Sequence, residues 1–289
     1  MKVILASHAG FCWGVKRVVN LTTERVGLGG APVYTYGPLI HNNAVIERLV
    51  ASGVRMLPAG ADGQALAALE PGAVVVIRAH GVTPDEYSRL RHAGIEVVDG
   101  TCPHVVKIQH AVEAAHAAGR SVIILGDKGH AEVAGLLGFC KGKGHVVCSV
   151  DEVAHMDMTG PVSVVAQSTL DARAFTELTG AVLKRWPDAE IVDTRCDATA
   201  RTQDEAVALC RQVEAMVVIG GRHSANTNRL AQLCREQGVT TIHIETAAEL
   251  EPGLLAGIGT VGVTAGSSTP DWLIAEVVAL LDDFAAAKS

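Results

Sequence analysis

One local pattern recurs along the chain: a short run rich in Val and Ile, then a cluster of Gly, Ser, Thr or His, then an amphipathic stretch rich in Ala and Leu. It is read in "VILASHAGFCWGV", "AVVVIRAHGVTPDEY", "SVIILGDKGHAEVAG", "VSVVAQSTLDARAF", "AMVVIGGRHSANTNRLAQLC" and "TVGVTAGSSTPDWLIAEVV". The pattern is strand, loop, helix. The apolar runs are continuous rather than alternating, as expected of parallel strands covered on both faces, so the fold class is α/β with small parallel sheets. Ligands in such folds collect at the carboxyl ends of the strands, which here are the polar clusters. Helix starts fit this placement: Thr83 precedes Pro84 in "TPDEY", and "STPDWL" repeats the device with Thr269, Pro270 and Asp271.

A content of 48% hydrophobic against 19% charged residues over 289 positions allows a substantial core. No apolar run reaches the roughly 18 residues of a membrane helix. The first residues also lack a basic stretch followed by an apolar signal region, so a cytoplasmic protein without a membrane partner is expected. A net charge of −7 argues against nucleic acid as a partner, while leaving room for a local anion site built from backbone donors.

Seven cysteines without a close C-x-x-C pair argue against a disulfide framework and against a zinc ribbon. Cys140, Cys148, Cys210 and Cys234 lie among Val, Leu and Ala and read as small buried hydrophobes. Cys12, Cys102 and Cys196 stand in polar, glycine- or threonine-containing contexts and are separated by 90 and 94 residues. That spacing suggests three comparable lobes, approximately 14–102, 103–195, and 196–289 joined by 1–13. Three thiolates from three lobes suit an iron–sulfur cluster that keeps one iron without a protein sulfur. On spacing alone, three reduced buried thiols remain an equal alternative.

His41 in "GPLIHNN", His80 in "RAHGV" and His130 in "KGHAEV" each fall in a strand-to-helix loop. Together with "HSANTN" at 223–228 and "GSSTP" at 266–270 they offer imidazole, hydroxyl, amide and backbone donors, the chemistry that holds a diphosphate.

The blocks "GFCxGV", "GPLIHN", "AHGV", "TCPxVxK", "GHxEVxG", Gln-Ser-Thr-Leu, "DTxCxAT", "NxNRL" and "VTAGxSxPxW" occur in that order over essentially the full length. In these motifs the chain resembles the 4-hydroxy-3-methylbut-2-enyl diphosphate reductases of the non-mevalonate isoprenoid pathway, the LytB family. The resemblance implies three pseudo-threefold-related α/β lobes around a central cavity and a [4Fe–4S] cluster with Cys12, Cys102 and Cys196 as ligands and one open iron. It implies reductive dehydroxylation of an allylic diphosphate to isopentenyl and dimethylallyl diphosphates, with electrons from an external ferredoxin or flavodoxin. By the same resemblance Glu132 is the proton donor, with Thr169 and His130 beside the reacting hydroxyl. His41, His80, His130, Ser168, Ser224, Asn226 and Ser268 bind substrate. No G-x-G-x-x-G loop with a following acidic residue suggests a nicotinamide or flavin within the chain.

Four positions depart from the family pattern. Trp13 stands where a small residue is usual, Arg195 and Asp197 flank Cys196 in place of apolar and aromatic neighbours, and Ala225 replaces a second serine. Polar groups near sulfur change a cluster's field, so a paralogue applying the same chemistry to another substrate is the alternative expectation. A non-catalytic iron–sulfur sensor is a further one, and the motifs do not match a quinolinate-synthase-like enzyme.

Overall fold

The computed structural model describes residues 1–286. The strands are β1 (Lys2–Leu5), β2 (Val33–Tyr36), β3 (Arg55–Leu57), β4 (Val74–Ile77), β5 (Glu96–Asp99), β6 (Ser121–Leu125), β7 (His145–Val147), β8 (Val162–Ala166), β9 (Glu190–Ile191), β10 (Ala215–Ile219), β11 (Thr240–Ile244) and β12 (Thr260–Ala265). The helices are α1 (Trp13–Leu28), α2 (Asn43–Ala51), α3 (Gly63–Ala67), α4 (Pro84–His92), α5 (Pro103–Ala117), α6 (Ala131–Phe139), α7 (Val150–His155), α8 (Ala172–Arg185), α9 (Asp197–Cys210), α10 (Ala225–Glu236) and α11 (Asp271–Ala286). None of the helices is long and apolar enough to cross a membrane, among the described residues.

All strand pairs are parallel, and they form three four-stranded sheets in the orders β3-β2-β4-β5, β7-β6-β8-β9 and β11-β10-β12-β1. Numbered from the first strand of each set, every sheet has the order 2-1-3-4. The third sheet obtains its fourth strand from the other end of the chain, with Val3 opposite Val261.

By compactness the chain divides into two units. One holds Met1–Lys16, Ile40–Arg48 and the chain from Asp197 onward; the other holds Arg17–Leu39 and Leu49–Cys196. The β1-β12-β10-β11 sheet belongs to the first unit. Its central strand β10 sends Ala215, Val217 and Ile219 toward Leu273, Val277 and Leu281 of α11, and Met216 and Val218 toward Leu209 of α9 and Leu230 of α10. Burial on both faces is why "AMVVI" reads as an unbroken apolar run. In the second unit β6 does the same, packing Ile123 and Leu125 against Leu178 and Val182 of α8, and Val122 and Ile124 against α5 and α6.

Local signals explain most helix boundaries. Thr83 caps α4 in a capping box with Glu86, with Pro84 at the first position. The expected repeat of this device at α11 is not formed. Thr269 is fully buried and its hydroxyl turns to the end of the central strand β10, donating to Ile219 O (2.9 Å) rather than capping the helix. A second correction concerns Cys148, which is exposed rather than buried, its sulfur 3.6 Å from Glu152 at the start of α7. Cys140, Cys210 and Cys234 are buried as expected.

Gly100 sits between β5 and Cys102 where a Cβ would lie 2.1 Å from Ile77 O and 2.4 Å from Val18 Cγ2. Gly100→Ala therefore forces the strand end off its neighbour, at an expected loss of about 1–3 kcal/mol in urea unfolding.

Candidate active site

Each of the three cysteines singled out by sequence is the last residue before a helix: Cys12 before α1, Cys102 before α5 and Cys196 before α9. Each follows the fourth, edge strand of its sheet, namely β1, β5 and β9. Each also donates its backbone N–H to the loop that follows the third strand of the same sheet. Cys12 bonds Ser267 O (3.1 Å), Cys102 bonds Ala79 O (3.0 Å) and Cys196 bonds Ser168 O (2.9 Å). The acceptors adjoin Ser268, His80 and Thr169, so one backbone bond per sheet registers a thiol against a candidate substrate residue.

In the first unit, Gly10 makes the approach to Cys12. Its φ is +104°, and a Cβ there would lie 2.9 Å from Ile274 and 3.2 Å from Thr269 O, so only glycine fits. Buried Ser268 donates from Oγ to His41 O (3.3 Å), and Gly221, whose Cβ would fall 2.4 Å from the same carbonyl, lets the His41 backbone close in. Ser224 caps α10 by accepting from Thr227 N (3.3 Å), which keeps its hydroxyl proton available as a donor. Asn226, 3% exposed, donates from Nδ2 to Ser267 Oγ (3.2 Å), while its buried Oδ1 has no hydrogen-bond partner among the described residues. A buried amide half satisfied by protein is a position for a polar ligand. Thus the structure brings Cys12, His41, Ser224, Asn226 and Ser268 onto adjoining loops of one unit.

The second unit gathers Cys102, Cys196, His80, His130, Glu132, Ser168 and Thr169. His130 caps α6, its Nδ1 accepting from Glu132 N (3.3 Å), so the ring proton resides on Nε2. Its ring meets His80 edge to face, centroids 5.3 Å apart. Glu132 is 2% exposed; Ser168 N donates to one carboxylate oxygen (2.7 Å) and Ser168 Oγ to the other (2.6 Å). Burial pushes this carboxyl above its ordinary range, and it prevails over the opposing bonds from Ser168 and the positive influence of His104. The Cys102 thiol is likewise pushed up, chiefly by burial, although N–H groups of His104 and Val105 at the start of α5 point at it; Cys196 and Glu132 add to the upward push. A cationic inorganic core beside the Cys102 sulfur would offset the cost that burial puts on its thiolate, so the donor set fits an iron–sulfur cluster.

Two residues that sequence reading did not single out position the others. Gln167, buried, accepts from Asp127 N and donates to Thr169 Oγ1, both at 2.8 Å, so it ties the His130 loop to Thr169. Ser267 serves Cys12 through its carbonyl and Asn226 through its hydroxyl. Both lie inside motifs already noted, but their roles depend on side-chain direction, which spacing does not encode. The departures are accounted for locally. Arg195 donates to Asp193 (2.9 and 2.6 Å) and lies 4.4 Å over the Phe175 ring, while Trp13 is 67% exposed and Asp197 is exposed.

The family described as LytB protein matches residues 3–282. The chain belongs to the LytB family. Among LytB relatives, proteins named 4-hydroxy-3-methylbut-2-enyl diphosphate reductase from Opitutus terrae and Geotalea uraniireducens are 42% and 43% identical. The first alignment covers 98% of this chain and 99% of the relative, the second 96% of each. A solved structure of (E)-4-hydroxy-3-methyl-but-2-enyl diphosphate reductase, the terminal enzyme of the non-mevalonate pathway, is 38% identical with a TM-score of 0.71, covering 98% of this chain and all of that one. The Plasmodium falciparum E-1-hydroxy-2-methyl-but-2-enyl-4-diphosphate reductase shares the LytB fold at TM-score 0.90 and 24% identity, over 97% of this chain and 87% of that one.

The Glu132 environment has a pH signature. A carboxyl raised in the folded state from its ordinary 4.5 gives its greatest support below that value and loses it as pH rises through the folded value. Glu132→Gln removes the titration, so urea unfolding of the cluster-free proteins should show the variant gaining on the wild type between pH 4 and pH 8. A stability difference constant over that range contradicts the raised carboxyl.

Proposed function

We propose that this chain is a cytoplasmic iron–sulfur reductase that converts 4-hydroxy-3-methylbut-2-enyl diphosphate to isopentenyl and dimethylallyl diphosphate. The observation that supports it most is the threefold repetition of one device: an edge strand, a helix-preceding cysteine, and a backbone bond into the loop that carries a candidate substrate residue. That none of the seven cysteines forms a disulfide fits a reducing compartment. The three-lobe division near 14–102, 103–195 and 196–289 with 1–13 is part of the proposal; its boundaries fall at the three cysteines, Cys102 closing the first lobe, Cys196 opening the third and Cys12 lying in the segment joined to it.

Cys12, Cys102 and Cys196 are the proposed ligands of a [4Fe–4S] cluster with one iron left open. When bound, such a cluster supplies a Lewis-acidic iron and a path for single electrons. The remaining work falls to side chains. The net reaction consumes two electrons, from an external ferredoxin or flavodoxin, and two protons, and releases water. Hydroxide is a poor leaving group, so a proton has to meet it. Glu132, raised by burial, holds one at its carboxyl and is oriented by Ser168 N–H and Oγ. Thr169, fixed by Gln167, offers its hydroxyl to the substrate oxygen. His130 presents Nε2–H, and with His41, His80, Ser224 and the second Nδ2 proton of Asn226 supplies donors to the diphosphate, which Ser268 joins when its hydroxyl turns away from His41 O. Ala225 provides no hydroxyl, which costs about 0.5–1.5 kcal/mol of binding for the one neutral bond.

The test is anaerobic reconstitution followed by turnover with hydroxymethylbutenyl diphosphate and a strong one-electron donor. C5 diphosphates are expected, and Glu132→Gln should lower kcat about 100-fold or more with the cluster retained. A fully loaded wild type that binds this diphosphate without consuming it overturns the assignment in favour of another allylic substrate.

A further inference from the structure

Between β1 and α1 the chain must travel from a strand edge to Cys12. Part of this segment continues the pairing with β12 and the loop behind it: Ala6 N bonds Val263 O (2.8 Å), Gly10 N bonds Ala265 O (3.5 Å) and Cys12 N bonds Ser267 O (3.1 Å). Ser7 and His8 lie on the outward bend between these anchors, where their backbone donors have no strand to meet.

One carboxylate receives them all. Glu205, on α9, accepts from Ser7 N (2.8 Å), Ser7 Oγ, His8 N (2.8 Å) and His8 Nδ1 (3.0 Å). Thr202, one turn earlier on the same helix, completes the bend by donating its hydroxyl to His8 O (3.3 Å). Residues three apart on a helix share a face, so Thr202 and Glu205 form a single docking edge for the bend. Bonds to an ionised acceptor are shorter and stronger than neutral ones, and four on one carboxylate define a position rather than a mere contact. The Glu205 side chain is only 25% exposed, which limits competition from water. Helix α9 is also the one that starts directly after Cys196.

We propose that Glu205 is a positioning residue for Cys12: by gripping Ser7 and His8 it fixes the bend four residues upstream and thereby the direction in which the Cys12 thiol is presented. The inference rests on the reading of Cys12 as a cluster ligand. It assigns Glu205 no contact with substrate or iron. Gly10, where a Cβ would lie 2.9 Å from Ile274 and 3.2 Å from Thr269 O, lets the segment between this bend and Cys12 run close against the start of α11.

The test uses the full chain carrying Glu205→Ala, Glu205→Gln or Ser7→Ala. Alanine is the best helix former, so α9 is retained in the first variant. Alkylation of the cluster-free, reduced protein by iodoacetamide is followed cysteine by cysteine by peptide mass spectrometry. In Glu205→Ala the Cys12 rate should rise about tenfold, with Cys102 and Cys196 within twofold of wild type, the signature of a local opening. Glu205→Gln, which keeps one acceptor oxygen but sets an amide against the His8 donors, should fall between. Ser7→Ala, which removes one donor of four, should raise the rate two- to threefold, about. After reconstitution, the electron paramagnetic resonance spectrum of the reduced cluster should change in Glu205→Ala and return toward wild type in Glu205→Gln. Cys12 labelling unchanged in cluster-free Glu205→Ala, with a wild type that still takes up its cluster, overturns the grip alone. Equal acceleration at all three cysteines makes Glu205 a general stabiliser and overturns it too. If Glu205→Ala does not fold, the Glu205→Gln and Ser7→Ala rates decide by the same criteria. A wild type that takes up no iron overturns the ligand reading, and with it the role assigned here.

Discussion

In each of the three sheets the first and third strands lie side by side, and the chain leaves them for opposite edges. Their two loops therefore open over a shared crevice, as expected where strand order reverses in a parallel sheet. His41, His130 and Ser224 come from loops after first strands, and His80, Thr169 and Ser268 from loops after third strands. The fourth strand delivers the cysteine to the same end of the sheet. Everything chemical in the protein depends on this parallel pairing, since a slip of one residue in register would turn the loop-facing ends by half a turn.

The fold was legible where burial was complete. Runs such as "AVVVI", "SVIIL" and "AMVVI" became β4, β6 and β10 because strands covered on both faces must be apolar throughout. Three edge strands escaped notice: β3 exposes Arg55 and Met56, β7 exposes His145, and β9 is only two residues long. Nothing in their composition distinguishes them from loop. The residues proposed for the site were visible as candidates because glycine, histidine and serine clusters interrupt those runs at fixed places. Their helpers were not. Gln167, Ser267 and Glu205 act through the direction of a side chain or carbonyl, and in sequence Glu205 is simply one more charge on an amphipathic helix. The Thr269 cap was misread for a related reason, as a threonine before proline carries the same letters whether its hydroxyl serves the helix or the sheet.

At Glu132 and Cys102, in the second unit, burial outweighs every partner. Glu132 lies in the first turn of α6, a place that ordinarily favours a negative charge, yet its enclosure outweighs the helix dipole and the bonds from Ser168. Cys102 repeats the contest at the start of α5 with the same winner. Burial thus works against the charged form of both groups, a form that a nearby positive charge would favour. Arg195, the nearest sequence candidate for such a charge, is committed to Asp193 and Phe175 instead.

The pairing of β1 with β12 has a consequence for the protein's assembly during synthesis. The segment that presents Cys12 precedes the other two sheets in the chain, whereas β12, the strand that β1 must lie against, follows both of them. Two sheets can close on the nascent chain while Cys12 still waits unseated, so this thiol reaches its place only when the third sheet forms.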